Sequence, residues 1–318
     1  MLSENRIRLA RAYESLQGLS CGDAFGQGFF KPEEIALSMI RQRALPVSPW
    51  RFTDDTMMAL SIVSALEEHG EIHQDHLALS FSMSYDRSRG YGPAMHDLLP
   101  RLRRKAGCWR EESRSLFGGE GSFGNGSAMR VAPLGAYFAD DLEALVEQAE
   151  LSAVTTHCHP EGIAGAIAVA LAAGIAAHYG GSSPLPNHSE FLERVYQRTP
   201  VGQVRDGIQR ALELPTHTSV EGAAAILGNG SNVTAQDTVP FVLWVAAHHL
   251  HDYEQALWAT VSGLGDRDTT CAIVGGIVVM CAGLESIPKQ WLESREPTPL
   301  QSSSSWAAEK RQNGLHKR

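Results

Sequence analysis

The chain has 318 residues, 43% hydrophobic and 20% charged. That length suits one large domain or two small ones, and the composition excludes a wholly disordered or collagen-like chain. A formal net charge of −9 removes any whole-chain electrostatic reason to bind nucleic acid.

In chain order, helical spacing dominates. The first six residues are polar and lack the apolar stretch of a signal peptide. Leu9, Ala12, Tyr13, Leu16 and Leu19 then recur on one helical face. Met58, Ile62, Ala65 and Leu66 repeat the pattern after Thr53. Arg101, Arg103, Arg104 and Lys105 read as the solvated face of a helix. Residues 142–149, 162–178, 191–196, 204–214, 241–249 and 253–261 favour helix by composition, and alternating β-branched runs are nearly absent.

The uncharged stretch 162–177 is rich in Ala and Gly. It falls short of the roughly 20 residues of a membrane span, so it reads as a buried core helix. Residues 180–187 read as a loop. From about 290 onward Pro and Ser take over, which predicts a domain over 1–290 and a flexible tail over 291–318. The five cysteines, at 21, 108, 158, 271 and 281, form no C-x-x-C pair. A reducing, cytoplasmic setting with no membrane partner is expected.

Two helix starts are acidic. Thr53-Asp54-Asp55-Thr56 precedes one apolar-periodic run, with Thr53 as N-cap. Gly265-Asp266-Arg267-Asp268-Thr269 precedes a small, apolar run beginning at Cys271. Acids at a helix start complement its dipole and need no further role. Together, however, the two segments offer only oxygen donors, which suit hard divalent cations such as Mg2+ or Mn2+ better than Zn2+. They lie far apart in the chain, so their meeting is an expectation. His157-Cys158-His159 reads as local contact, since adjacent side chains rarely point at one ion.

Six segments in order resemble the ADP-ribosylglycohydrolase family. They are Gly18-Leu19-Ser20-Cys21-Gly22-Asp23-Ala24-Phe25-Gly26, Thr53–Thr56, Arg89-Gly90-Tyr91-Gly92, residues 124–133 (Gly-Asn-Gly-Ser-Ala-Met-Arg-Val-Ala-Pro), residues 156–160 (Thr-His-Cys-His-Pro) and Gly265–Thr269. The resemblance spans roughly residues 7 to 285. It implies an all-α, compact orthogonal multi-helix bundle with a dinuclear metal site in an ADP-ribose cleft. Thr53, Asp54, Asp55, Asp266, Asp268 and Thr269 would hold two divalent cations, Mg2+ or Mn2+. Asp23, Gly90, Tyr91, Gly92, Ser122, Phe123, Gly124, Asn125, Gly126, Ser127, Met129 and His157 would bind substrate. Glycines in the 124–127 loop would admit the diphosphate to the backbone.

The implied reaction releases ADP-ribose from an ADP-ribosylated protein or small molecule, through an oxocarbenium-like transition state. Asp55 is the expected proton acceptor, with Asp268 second. Several family members carry Glu seven residues after the Asp of the first segment; Phe30 stands there here. That departure points away from serine-linked and toward arginine-type N-glycosidic substrates. Arg267 is a second variant feature, whose cation would pair with the acids or meet a phosphate. Two other readings stand beside the hydrolase. One is an ADP-ribose-binding or immunity-type protein that counteracts a cognate ADP-ribosyltransferase. The other is a dinuclear phosphohydrolase acting on the diphosphate.

Overall fold

The computed structural model describes residues 4–105, 107–180 and 186–298. Most of the loop expected at 180–187, and the chain beyond 298, lie outside the described residues. In chain order the helices are α1 (Glu4–Gln27), α2 (Glu33–Gln42), α3 (Asp54–His69), α4 (Gln74–Met83), α5 (Pro93–Arg104), α6 (Trp109–Ser115), α7 (Ala132–Tyr137) and α8 (Leu142–Val154). They continue with α9 (Pro160–Tyr179), α10 (His188–Tyr196), α11 (Gln203–Glu213), α12 (Val220–Leu227), α13 (Ala235–His248), α14 (Tyr253–Ser262), α15 (Arg267–Ala282) and α16 (Lys289–Ser294). No strand occurs among the described residues, only isolated bridges between Trp50 and Arg295 and between Gly124 and Thr234. The fold is an all-α multi-helix bundle, as the spacing predicted.

Two helices organise the core. On α1, Gly18, Gly22 and Gly26 recur every four residues and so share one face. That face lies directly on the backbone of α15. A methyl group at Gly22 would stand 2.1 Å from the Cys271 carbonyl oxygen, and one at Gly26 2.1 Å from that of Arg267. Such contact is closed to any larger residue, and it sets the start of α15 beside the end of α1. Asp23, on α1, is thereby carried into the interior.

The second core helix is α9. It is long and apolar enough to cross a membrane, with mean hydropathy 1.7, yet 78% of that window is buried inside the protein. It packs against α7, α8, α13 and α15. His159 caps its start by accepting from the Glu161 amide. The Glu161 carboxylate in turn accepts from the amides of Gln203 and Val204 at the start of α11, a favourable place for an anion. The basic run of α5 lies as expected, with Arg101, Arg103 and Arg104 exposed and Leu102 buried between them.

The packing continues past the domain limit expected at residue 290. Trp291 stacks on Phe25 with ring centroids 4.4 Å apart. Buried Arg295 donates to the Ser20 hydroxyl, and the Glu296 amide donates to the Trp50 carbonyl. The body therefore includes residues up to 298. All five cysteines are unpaired.

Candidate active site

The first acidic turn is built from beneath. Thr53 is the N-cap residue of α3, but its hydroxyl does not cap the helix. Instead the Asp23 carboxylate from α1 takes the capping role. It accepts from the amides of Thr53 and Thr56 at 2.9–3.1 Å and from both threonine hydroxyls at 2.9 and 2.5 Å. A fully buried anion at a helix N-terminus is stabilised by the amides and the dipole there. The result is a rigid turn that presents Asp54 and Asp55.

The second acidic turn is held by amides. Asn125 donates to Asp266 Oδ2 at 2.8 Å and to the Thr238 hydroxyl at 3.1 Å. Asn229 donates to the Gly263 carbonyl, and its own carbonyl accepts from the Asp266 amide. Gly265, at φ +63°, lets the chain pass against Asn229. Arg267 points away from the acids, correcting the expected pairing. Its guanidinium lies over the Phe30 ring, 5.1 Å from the centroid, and donates to the Phe29 carbonyl.

The two turns meet, as expected. Burial and mutual repulsion push their carboxyls upward. Asp54 rises to about 8, through burial first and then Asp23. Burial raises Asp23 to about 6 against the pull of its threonine donors. Asp55 and Asp268 rise well above the usual carboxylate range, by burial and then by neighbouring aspartates, Asp23 for Asp55 and Asp266 for Asp268. Asp266 is raised by burial against the Asn125 bond.

Two observations show that this group fits divalent cations. Asp55 Oδ1 is buried without any hydrogen-bond partner. The Thr53 hydroxyl lies 2.9 Å from Asp23 Oδ1 and 2.8 Å from Asp55 Oδ2, and its single proton serves only one of them. A buried acceptor left alone is costly, and a hard cation with oxygen ligands relieves both features.

Above the acids opens a cleft of about 720 Å³. Asp54, Asp266, Asp268 and Thr269 form its acidic end. Gly90, Tyr91, Gly92, Ser122, Phe123, Gly124, Asn125, Gly126, Met129 and His157, all expected at a substrate site, line the rest. Four expected residues do not line it. Asp23 lies fully buried under the Thr53–Thr56 turn, bonded to it and away from the cleft where it was expected to meet substrate. Ser127 is fully buried and donates to the Gly162 carbonyl, so it too holds the loop instead of facing a ligand. Thr53 and Asp55 are nearly sealed beneath Asp54.

His157 is fixed by a buried chain. Arg130 donates to the Thr156 hydroxyl, which lies 2.7 Å from His157 Nδ1. The Thr156 hydroxyl has one proton and two lone pairs, so beside Arg130 it either donates to Nδ1 or accepts from an Nδ1–H of the neutral imidazole. Burial, then the Arg130 charge, lowers His157 to about 3. Burial lowers Arg130 to about 9, so it stays charged at neutral pH. A methyl at Gly126 would stand 2.8 Å from His157 Cε1. That glycine therefore makes room for the imidazole.

A clamp joins two rims of the cleft. Arg89 donates to the Phe52 carbonyl at 2.8 Å and pairs with Glu296, which also accepts from the Phe52 amide at 3.0 Å. Phe52 precedes Thr53, and Arg89 precedes Gly90.

The sequence reading missed the loop Asn232-Val233-Thr234, which lines the cleft beside Gly124. Asn125 donates its amide to the Val233 carbonyl, and Ala235 donates its amide to Phe123. A signal was present: Gly228-Asn229-Gly230-Ser231 repeats the tetrapeptide Gly124-Asn125-Gly126-Ser127.

A sequence model of the ADP-ribosylglycohydrolase family matches residues 4–315. The chain belongs to this family. It is an ADP-ribosyl glycohydrolase by that membership. Human ADP-ribosylhydrolase ARH3 is 26% identical, covering 91% of this chain and 90% of its own. An uncharacterized protein of Archaeoglobus fulgidus is 30% identical over 87% of this chain and 88% of its own. A solved "ADP-ribosylglycohydrolase-related protein complex" shares the fold, with a TM-score of 0.65 at 24% identity over 92% of this chain and 94% of that one.

Proposed function

We propose that this enzyme hydrolyses the ribosyl glycosidic bond of an arginine-type, N-glycosidic ADP-ribose adduct and depends on two divalent cations, Mg2+ or Mn2+. The observation that carries the reading is the partnerless Asp55 Oδ1 within a cluster of carboxylates at one end of the cleft. Thr53, Asp54 and Asp55 would hold the ions from one side, and Asp266, Asp268 and Thr269 from the other. When bound, the ions would neutralise the acids and make water a stronger acid at the anomeric carbon.

The chain's own groups do the remaining work. Asp268, which lines the cleft, would accept the proton of the attacking water, while Asp55, expected first for that role, is sealed beneath Asp54 and would serve as an ion ligand. Water oxygen joins the anomeric carbon as the carbon–nitrogen bond breaks. His157 lines the cleft as a neutral imidazole, and the Tyr91 hydroxyl, buried without a partner, is available to the substrate. Phe117 and Phe123, with ring centroids 5.6 Å apart, give that wall an aromatic surface.

Phe30 bears on the acceptor. It is exposed and stacked under Arg267, while Glu33 and Glu34 are exposed in the first turn of α2. No carboxyl from this segment lines the cleft. An alkoxide leaving group, as from serine, needs a proton donor. A protonated guanidinium adduct departs as neutral guanidine and needs none.

The test is release of free ADP-ribose from arginine-linked and serine-linked ADP-ribosylated protein, with Mg2+ and with EDTA. Metal-dependent release from the arginine adduct, lost in Asp55→Asn, supports the reading. Release only from the serine adduct overturns the acceptor assignment. Tight ADP-ribose binding with no release from either would favour the capture role, and AMP as product a phosphohydrolase.

A further inference from the structure

At the far end of α3 lies a second group of ligand-type side chains, of different chemistry. The helix closes at His69, and Gly70 in the left-handed region (φ +77°) turns the chain into α4. That corner brings His69 against His76 of α4, with ring centroids 4.7 Å apart at 85°. The Glu68 carboxylate lies between them. Its Oε1 is 3.6 Å from His69 Nε2, and its Oε2 is 3.6 Å from His76 Nε2.

These separations are too long for hydrogen bonds. Each comes close to a different spacing, though through a different oxygen of the one carboxylate, so a single ion needs a small rotation of the Glu68 side chain to draw the ligands together. Ligand atoms about 2.0–2.2 Å from a tetrahedral Zn2+ stand roughly 3.3–3.6 Å from one another. One ligand atom from each of Glu68, His69 and His76 lies within 4.8 Å of the others. The side chains are 58%, 26% and 36% exposed, which leaves a fourth position open to water. His73 sits edge-on to His69 at 4.7 Å, on the same corner.

We propose that Glu68, His69 and His76 form a transition-metal site of the Zn2+ class. Two imidazoles and one carboxylate select Zn2+, Co2+, Ni2+ or Cu2+ over Mg2+, the reverse of the all-oxygen cleft. The site lies roughly 20 Å from Asp55, counted along α3 at about 1.5 Å per residue. A bound ion would tie the last turn of α3 to the first turn of α4 and stiffen the helix that carries Asp54 and Asp55.

The test uses the untagged full-length protein in excess Mg2+, which fills the oxygen site. Zn2+ alone is titrated by calorimetry, and Co2+ by its visible absorption. One Zn2+ per chain is expected, with the intense bands of four-coordinate Co2+. The His69→Ala/His76→Ala double variant should weaken binding at least about tenfold. Glu68→Gln should weaken it less, and Asp55→Asn should leave it unchanged. Wild-type Zn2+ affinity in the double variant overturns the proposal, as does loss of the Zn2+ site in Asp55→Asn.

Discussion

The two acidic turns reach the same cleft by opposite means. Thr53–Thr56 is anchored by another anion, Asp23, sealed beneath it and bonded to four donors of the turn. Asp266–Thr269 is anchored by neutral amides, Asn125 and Asn229, from two loops that share one tetrapeptide. The anion gives rigidity and adds negative charge next to Asp54 and Asp55. The amides give position without that cost. The first turn is therefore the one that most needs a cation, and the partnerless Asp55 Oδ1 belongs to it.

The largest effect should follow from breaking the proposed ion-binding face itself. Asp55→Asn or Asp268→Asn should lower ADP-ribose release by about 100-fold or more at fixed Mg2+, read by product chromatography. Next come the anchors, where the two turns should differ. Asp23→Ala strips an acceptor from four buried donors. It should cost about 1–3 kcal/mol or more in unfolding free energy and about 10–100-fold in Mg2+ affinity. Asn125→Ala removes one bond to Asp266 and should cost about tenfold in affinity. Denaturant unfolding and calorimetric Mg2+ titration check both.

The pH response sharpens the same contrast. Asp23, Asp54 and Asp55 have folded-state values above the roughly 3.9 of an unfolded aspartate. Ion-free folded protein thus holds more protons than the unfolded chain between about pH 4 and 8. Its stability from these groups is full below about pH 4 and lost as pH rises, through about 6 for Asp23 and about 8 for Asp54. Melting in EDTA should fall over that window, and saturating Mg2+ should flatten the fall. The smallest effect is expected at the clamp. Glu296→Gln should raise KM by roughly fivefold or less, about 1 kcal/mol, with kcat nearly unchanged.

Much of the helix content was legible because apolar residues recur every three or four positions in the long segments. Both acidic helix starts were legible for the same reason. That they meet was an expectation from their shared oxygen donors and from the resemblance, since nothing local links residue 55 to residue 266. The place of Asp23 was not legible, because a carboxylate in mid-helix carries no sign of what lies above it. Its role depends on Gly22 and Gly26 seating α1 on α15, a contact between distant segments. Residues 291–298 pack on the body where a tail was expected, because Pro and Ser dominate the composition from 290 onward while Trp291, Arg295 and Glu296 do the anchoring. The loop at Asn232 was missed although its tetrapeptide echo was in plain view.

The glycine seam between α1 and α15 also bears on which ion the enzyme would accept. Where two helices touch through side chains, rotamer changes let the gap widen or narrow. Here backbone rests on backbone, with no methylene between to yield. The carboxylates above such a seam keep a fixed aperture, as the jaws of a locked caliper do. Mg2+ requires short, near-octahedral contacts at about 2.1 Å, whereas Ca2+ takes longer and more variable ones. Discrimination by ionic radius would then be written in residues that never touch the ion.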